Sequence, residues 1–258
     1  MQGHSATNHR GVDVSEFQGI IDWPTVVRAG YTHNTIRSSY GTTRVDALFA
    51  KNWPAAKKAG ATVRPYHYGV PSVGDAKRQA GFFWAQVQRA GGLAPNDGAP
   101  VLDLEETGGV DDAALALWAQ TFCAELDTLI GNASQRTVVY SYAAFIAEHP
   151  QTFAALSDRG VWIAAIGVDA PPNVGPYTAW EGWQYSDQGR VPGIATVVDL
   201  DEWVPQASVA PAVTLTPDVT ALQQQVTQLQ NDLVTKDHTI AQLKLDMAHA
   251  VAELKGAK

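Results

Sequence analysis

The chain has 258 residues, which suffices for one large domain or for a domain of roughly 200 residues with an extension. Hydrophobic residues make up 45% of it and aromatic residues 9%, so it is too apolar for a disordered protein. The formal net charge of −8 disfavours nucleic acid as a partner, because nucleic-acid-binding domains carry basic patches. The longest apolar runs, such as residues 161–168, are far shorter than the ~20 residues that span a bilayer, so we expect no membrane insertion. A globular enzyme or binding domain fits these properties.

The N-terminus and the single cysteine bear on where the protein works. Residues 1–11 contain no apolar stretch of the kind that forms a secretory signal peptide, so we expect synthesis in the cytoplasm and another route to any external target. Cys123 is the only cysteine, which excludes an internal disulfide and a multi-cysteine metal site. Its position in an amphipathic helical pattern favours a packed thiol over a nucleophile.

Strand and helix patterns alternate before residue 204, which favours a parallel sheet covered by helices. In chain order, strands are predicted at residues 11–15, 34–38, 61–68, 99–105, 136–141 and 161–166, and helices at residues 24–30, 46–59, 74–90, 111–131 and 143–157. Residues 178–186 and 195–201 then resemble two strands without a helix between them. Five strand–helix units followed by three strands predict an irregular TIM-like (βα)5β3 barrel over residues 1–203. Chemistry in such barrels lies at the C-terminal ends of the strands.

The C-terminal region differs from the barrel region in composition. All eight Trp lie before residue 204, and residues 204–217 carry three Pro without any periodicity, which predicts an extended linker. In residues 218–256 apolar side chains recur in alternating steps of three and four, which predicts a coiled-coil helix. Because a lone helix this polar is marginal in water, we expect it to pair with a second copy of the chain, or else with the barrel surface; a solvated single helix is the remaining alternative.

Acidic residues gather where the barrel interpretation predicts chemistry. Asp13 lies in the first strand, Asp103 and Glu105 at the end of the fourth, and Asp199 and Asp201 at the end of the last. Because residues two apart in a strand face the same side, Asp103 and Glu105 are expected to share the barrel mouth. At about 6 Å and an effective dielectric near 20, two such charges repel by roughly 3 kcal/mol, or about two pKa units. One carboxyl group can then stay protonated near neutral pH, as glycosidic cleavage requires.

A metal site is the alternative use of these acids. Asp13, Asp103, Glu105 and Asp199 offer the oxygen ligands that Mg²⁺ and Ca²⁺ prefer. The sequence shows neither the basic groups nor the glycine-rich loop of a phosphate-handling metal site, so we expect no metal and no cofactor. His67 can act as a ligand or a base, but a hydrogen-bonded histidine lining the barrel is the favoured interpretation.

Aromatic side chains at or near predicted strand ends offer flat apolar faces with a polar edge, which suit sugar rings. The candidate substrate-binding residues are Tyr66, Tyr68, Tyr142, Trp162, Trp183 and Tyr185. We expect about half of them to serve only the packing of the barrel.

Several motifs in order make the chain resemble glycoside hydrolase family 25, the lysozymes that cleave peptidoglycan as N-acetylmuramidases. These motifs, between residues 11 and about 203, are GVDVSEFQG followed by IDW, IRSSYG, VDALFAKNWPAAKKAG leading into RPYHY, VLDLEE, VVYSY, VWIA and WQYSDQGRVPGIATVVDLD. The resemblance implies a (βα)5β3 barrel, with Glu105 as general acid and then general base. It also implies that Asp13, Asp103 and Asp199 complete the acidic cluster, and that the β-1,4 bond from N-acetylmuramic acid to N-acetylglucosamine is hydrolysed with retention.

The resemblance leaves the nucleophile open between a carboxylate and the N-acetyl oxygen of the substrate. We favour the substrate-assisted route, with Asp103 orienting the acetamido group. Two positions depart from the family pattern: Ile166 stands where a Tyr is usual, and Tyr40 where a small or acidic residue is common. The first departure puts a substrate contact in doubt, and the second affects one edge of the cleft.

A cell-wall hydrolase whose N-terminus lacks an export signal resembles a bacteriophage endolysin. Such a protein is made in the host cytoplasm and reaches the wall after holin-dependent release. The rival hypothesis is a non-catalytic protein that binds the wall or builds the virion, with the barrel as a platform and the coiled coil for assembly. A lysis assay separates the two, because binding alone does not clear a wall suspension.

Overall fold

A computed structural model of the protein describes residues 1–205. Residues 206–217 of the linker predicted at 204–217 lie outside the described residues, and so does the whole coiled-coil helix predicted at 218–256. The strands are β1 His9–Val14, β2 His33–Tyr40, β3 Arg44–Val45, β4 Thr62–Tyr68, β5 Val101–Asp103, β6 Val138–Tyr142, β7 Val161–Ala164, β8 Gly182–Gly189 and β9 Val198–Trp203. The α-helices are α1 Trp23–Arg28, α2 Phe49–Lys58, α3 Ala76–Arg89, α4 Asp112–Ile130, α5 Ala143–Glu148 and α6 Pro150–Ala155, and short 3₁₀ helices span Glu16–Gln18 and Ala133–Gln135.

The sheet closes on itself. It runs in the order β1, β9, β8, β7, β6, β5, β4, β2, and β1 also pairs with β2, which completes a barrel of eight strands; β3 extends β2 as an outer hairpin. Neighbouring strands are parallel from β1 through β2 and β4 to β8, whereas β9 is antiparallel to both β8 and β1. The prediction of a closed α/β barrel is confirmed.

Helices follow β1, the β2–β3 hairpin, β4, β5 and β6, and none separates β7, β8 and β9. Helix α4 shows why such segments form: Asp111 accepts a hydrogen bond from the amide of Ala114 at its start, and Gly131 ends it with a φ of 66°. The helix predicted at 143–157 is divided by Pro150, because a proline disfavours helical geometry at the residue before it.

Alternation along β4 separates two apolar cores. Tyr66 belongs to a cluster inside the barrel with Val101, Tyr140, Trp162 and Trp203. The larger core lies between the sheet and the helices. None of the helices within residues 1–205 is long and apolar enough to cross a membrane.

The N-terminal segment covers the side of the barrel that carries no helices. Trp180 donates its indole N–H to the backbone oxygen of Gln2 at 2.7 Å. The ring of His4 lies 4.2 Å from that of Trp183, and its Nδ1 is 2.7 Å from Glu202 on β9. Residues near the N-terminus therefore pack where a helix would otherwise shield β8 and β9.

Candidate active site

A cavity of about 410 Å³ lies at the C-terminal ends of the parallel strands. Carboxylates, hydroxyls and aromatic rings dominate its walls. The lining residues are Asp13, Ser15, Phe17, Gln18, Arg37, Tyr66, Tyr68, Asp103, Glu105, Tyr140, Trp162, Ile166, Gln184, Asp187 and Asp199. The four acids predicted as catalytic, Asp13, Asp103, Glu105 and Asp199, are thus brought together.

Asp199 lies at a different position in its strand from the predicted one. Asp199 was expected at the end of the final strand, but it stands near the start of β9 and pairs in register with Asp13. Because β9 is antiparallel to its neighbours, its beginning lies at the mouth and its end at the opposite rim. Asp201, two residues further on, is fully buried below the cavity.

Glu105 lies beyond its strand, since β5 ends at Asp103 rather than at residue 105 as predicted. The chain is still held there: the amide of Leu104 donates to the oxygen of Tyr140 at 3.0 Å, and the hydroxyl of Ser141 donates to the oxygen of Leu104 at 2.7 Å. Leu104 is fully buried. The alternation of β5 continues past the ladder, and both acids face the cavity.

Burial dominates the protonation of Asp13 and Asp199. It raises the pKa of Asp13 well above the usual range; the charge of Asp199 adds to the rise, and a hydrogen bond from Gln184 opposes it. Burial, followed by the charge of Asp187, raises the pKa of Asp199 to about 6. The cluster therefore binds protons at pH values where isolated carboxyl groups are ionised.

The two acids at and just beyond the end of β5, Asp103 and Glu105, also have raised pKa values. Burial, and then the charge of Glu105, raises the pKa of Asp103. Burial also raises the pKa of Glu105; the neighbouring Asp103 opposes this rise and the charge of Glu106 supports it. Of the two, Asp103 is 5% exposed and Glu105 is only partly buried, so Glu105 is the more accessible carboxyl group. The site can supply a carboxylic acid and a carboxylate together, as acid–base catalysis at a glycosidic bond requires.

Two polar residues that we did not predict form a hydrogen-bonded chain that ends at Asp13. Gln184 on β8 donates from Nε2 to Oδ2 of Asp13 at 2.8 Å, and the hydroxyl of Tyr140 on β6 donates to Oε1 of Gln184 at 2.9 Å. Both lie in motifs quoted above, VVYSY and WQYS, but only the neighbouring aromatic residues were selected there.

Below this layer, two buried polar side chains contact tryptophan side chains. Trp162 donates its indole N–H to Oδ1 of Asp201 at 3.0 Å. The guanidinium of Arg64 lies 3.8 Å from the ring centroid of Trp203, and burial lowers its pKa to about 10. Trp162 is thereby fixed from beneath while one side of its ring lines the cavity.

The six predicted aromatic residues divide evenly. Tyr66, Tyr68 and Trp162 line the cavity. Tyr142, Trp183 and Tyr185 do not: Tyr142 packs beside Phe145 at 37% exposure, and Trp183 is fully buried on the outer face of β8, with Tyr185 beside it.

His67 lies outside the barrel interior, in contrast to the prediction that it lines the barrel. Its ring is fully buried and stacks against Phe83 and Phe122 of the surrounding helices. Burial lowers its pKa to about 4, so it is neutral, donating to Gln79 and accepting from Ser39. Because Tyr66 and Tyr68 face inward, the residue between them must face outward.

No group of three or more His, Cys, Asp or Glu side chains arranged to hold a metal ion occurs in the part of the chain that the structure describes. Cys123 is fully buried in α4, and burial raises the pKa of its thiol to about 11.

The profile of the glycosyl hydrolases family 25 matches residues 12–194. The chain belongs to this family. It is therefore a glycoside hydrolase, and lysozymes are prominent among its relatives in family 25. Lysozyme M1 of Streptomyces globisporus is 29% identical over 203 residues, which cover 75% of this chain and 67% of that protein. The autolytic lysozyme of Clostridium acetobutylicum is 29% identical over 208 residues, covering 81% of this chain and 60% of that protein.

Solved structures of two bacterial enzymes have the same architecture. The bacterial lysozyme of Streptomyces coelicolor is 26% identical with a TM-score of 0.70, over 83% of this chain and 100% of that one. The spore cortex lytic enzyme SleM of Clostridium perfringens is 26% identical with a TM-score of 0.72, over 80% of this chain and 69% of that one.

The two positions that we expected to depart from the family 25 pattern, Ile166 and Tyr40, both lie at the edge of the site. Ile166 lines the cavity and is 45% exposed. Tyr40 stacks on Tyr68, with 4.6 Å between ring centroids. The ring of Tyr68, which lines the cavity, is therefore supported from outside by Tyr40.

Proposed function

We propose that this family 25 enzyme hydrolyses peptidoglycan at the β-1,4 bond from N-acetylmuramic acid to N-acetylglucosamine, with retention of configuration. The observation that carries the proposal is the convergence of Asp13, Asp103, Glu105 and Asp199 on one cavity in which burial raises the pKa of each. Relatives named lysozymes support the substrate class. The order of strands and helices supports the (βα)5β3 barrel that the family resemblance implies.

Glu105 is the general acid and then the general base in this proposal. Its raised pKa keeps a proton available for the leaving oxygen as the bond to the anomeric carbon breaks. The resulting carboxylate then accepts a proton from the water that attacks the same carbon. Glu105 donates one proton in the first step and accepts one in the second, so it is regenerated in its acid form.

A substrate-assisted first step fits Asp103 well. Its Oδ1 is buried and has no hydrogen-bond partner among residues 1–205, so it is free to accept from the acetamido N–H of the substrate. That hydrogen bond orients the acetamido oxygen for attack on the anomeric carbon, forming a cyclic oxazolinium while the leaving sugar takes the proton of Glu105. Water then opens the ring from the opposite side, and two inversions give net retention.

The aromatic walls suit a sugar chain. Tyr66, Tyr68 and Trp162 present ring faces and edges in the cavity beside the acids. We infer that these three contact the substrate, whereas Tyr142, Trp183 and Tyr185 contribute through packing.

The biological setting that we propose is host lysis by a bacteriophage endolysin, made in the host cytoplasm and reaching the wall after holin-dependent release. The similarity to the solved CTP1L endolysin supports it, at 26% identity and a TM-score of 0.60 over 76% of this chain and 66% of that one. Expression in a bacterial host with and without a holin tests this setting. Lysis only when the holin is present is expected, and lysis without it contradicts the route.

The proposed reaction is tested by product analysis on purified peptidoglycan. Mass spectrometry of reduced products should find N-acetylmuramic acid at every new reducing end, and early proton NMR spectra should show the β-anomer before mutarotation. New N-acetylglucosamine ends overturn the bond assignment, and an initial α-anomer overturns retention. Binding to walls without any loss of turbidity would instead favour the non-catalytic alternative.

A further inference from the structure

Three strands contribute to one hydrogen-bonded chain at the floor of the cavity. Tyr140 comes from β6, Gln184 from β8 and Asp13 from β1, and the chain runs hydroxyl to amide oxygen and amide nitrogen to carboxylate, at 2.9 Å and 2.8 Å. Tyr140 is 8% exposed, Gln184 7% and Asp13 8%. Water therefore competes little for these groups, and each bond has a defined donor and acceptor.

The direction of this chain, from Tyr140 through Gln184 to Asp13, is the one that an ionised Asp13 requires. An ionised Asp13 can only accept, so Gln184 must present its amide N–H group to it, and its amide oxygen is then left for Tyr140. The reverse orientation would bring two acceptors together at Asp13. The ring of Tyr140 is itself packed 4.3 Å from the ring of Trp162, which Asp201 anchors from below. The amide is thereby held in one orientation.

The surroundings of Asp13 otherwise favour its neutral form. It is buried, and nearly every other titratable group around the cavity floor is an acid or a phenol. These groups are Asp199 and Asp201 on β9, Asp103 and Glu105 at and beyond the end of β5, Tyr66 on β4 and Tyr140 on β6, with Arg37 on β2 as the cation lining the cavity. A charged Asp13 is retained only if a donor compensates it.

We propose that Tyr140 and Gln184 are positioning residues that favour the charged form of Asp13 against its burial, so that Asp13 loses its proton at lower pH than it would without them. The proposal rests on the proposed hydrolase function. A fixed negative charge at the cavity floor stabilises the positive charge that develops at the anomeric carbon. It also makes proton loss from Glu105 less favourable, since the two charges repel. Gln184 acts on the reaction through Asp13, and Tyr140 acts through Gln184.

The test compares the wild type with Gln184→Leu, Tyr140→Phe and the control Gln188→Leu, an exposed glutamine on the same strand. The dependence of kcat and KM on pH is measured on solubilised peptidoglycan. A hydrogen bond to a charged group contributes about 1.5 to 3 kcal/mol, so Gln184→Leu should move the acidic limb of kcat to higher pH by about 1 to 2 units. Tyr140→Phe should move it in the same direction by less, with KM little changed, and Gln188→Leu should match the wild type.

Each other outcome has a defined meaning. If the acidic limb of kcat does not move in a folded Gln184→Leu protein, the proposal that Tyr140 and Gln184 act through Asp13 is overturned. This holds whether or not the activity falls uniformly across the pH range. If Gln184→Leu does not fold, Tyr140→Phe decides, because it keeps the ring that packs on Trp162. A ¹³C NMR titration of the Asp13 carboxyl in the wild type and the variants, without substrate, should show that the pKa of Asp13 is higher in Gln184→Leu and Tyr140→Phe. Because this titration does not depend on activity, it tests the effect of Gln184 and Tyr140 on Asp13 by itself. An inactive wild type would instead contradict the hydrolase proposal.

Discussion

At the scale of single residues, the site holds several carboxyl groups closer together than their charges favour. Asp199 makes this measurable, because its pKa rises from 3.8 to about 6 through burial and the charge of Asp187. The folded protein then binds this proton more tightly than the unfolded chain does. The stabilising effect is fully present below pH 4, and the free energy of unfolding falls as pH rises from about 4 to about 6.

We therefore predict that Asp199→Asn is more heat-stable than the wild type at pH 7, by about 2 to 4 °C for each kcal/mol that burial and repulsion of the charged Asp199 cost the wild type. The variant should lose this advantage at pH 3.5, where the wild-type carboxyl is protonated in both states. Calorimetry at the two pH values checks this. A variant no more stable than the wild type at pH 7 would show that repulsion at Asp199 is already relieved in the folded protein.

Glu106 gives a second prediction at this scale. Its charge helps to raise the pKa of Glu105, and its Oε1 is buried without a hydrogen-bond partner in the described structure. Glu106→Gln removes the charge with little change of shape, so Glu105 should lose its proton at lower pH. We expect the alkaline limb of kcat/KM to move to lower pH with maximal activity largely kept. An unmoved alkaline limb would contradict this coupling.

How much of the site is predictable from sequence differs by residue type. Asp103 ends an apolar strand and Glu105 follows it by two residues, which is enough to assign them to a barrel mouth. Gln184 and Tyr140 carry no such signal, because their roles depend on a hydrogen bond between residues 44 apart in sequence. Partners of this kind are set by strand order in the closed barrel, which local pattern does not specify.

At the scale of elements, the sequence predicts each barrel strand but not the direction of the last one. Without a helix between β8 and β9, either a parallel or an antiparallel return is compatible with the pattern, and the structure has the antiparallel one. The face of each residue on β8 is equally undetermined, since a shift of one position exchanges inside and outside. For this reason Trp183 looked like a substrate contact and is a packing residue.

The position of Trp183 leads to a prediction that separates packing from binding. Its indole donates to the oxygen of Ala165 at 2.9 Å and its ring packs against His4 and Trp180, away from the cavity. Trp183→Ala should destabilise the protein by about 3 to 5 kcal/mol while KM stays near that of the wild type below the melting temperature. Tyr68→Ala should instead raise KM with a smaller loss of stability. Urea unfolding and kinetics on both variants check this, and a large rise of KM in Trp183→Ala would contradict it.

At the scale of the whole molecule, the barrel closes within residues 1–205, so we expect this part to fold without the C-terminal region. The heptad pattern at 218–256 predicts that the full chain self-associates and gains wall affinity through avidity. Light scattering should give an oligomer for the full chain and a monomer for a protein truncated after residue 204, and turnover on soluble fragments should be equal per barrel. Monomers in both cases would refute the coiled-coil pairing.

The central claim is that Glu105 is the proton donor of a glycosidase. Release of reducing ends from purified peptidoglycan by wild type and Glu105→Gln, with Glu148→Gln on the exposed side of α5 as control, tests it most directly. We expect the rate to fall by about 100- to 10,000-fold in Glu105→Gln, with an unchanged circular dichroism spectrum, and to stay at the wild-type value in Glu148→Gln. A folded Glu105→Gln protein that releases reducing ends at the wild-type rate would contradict it.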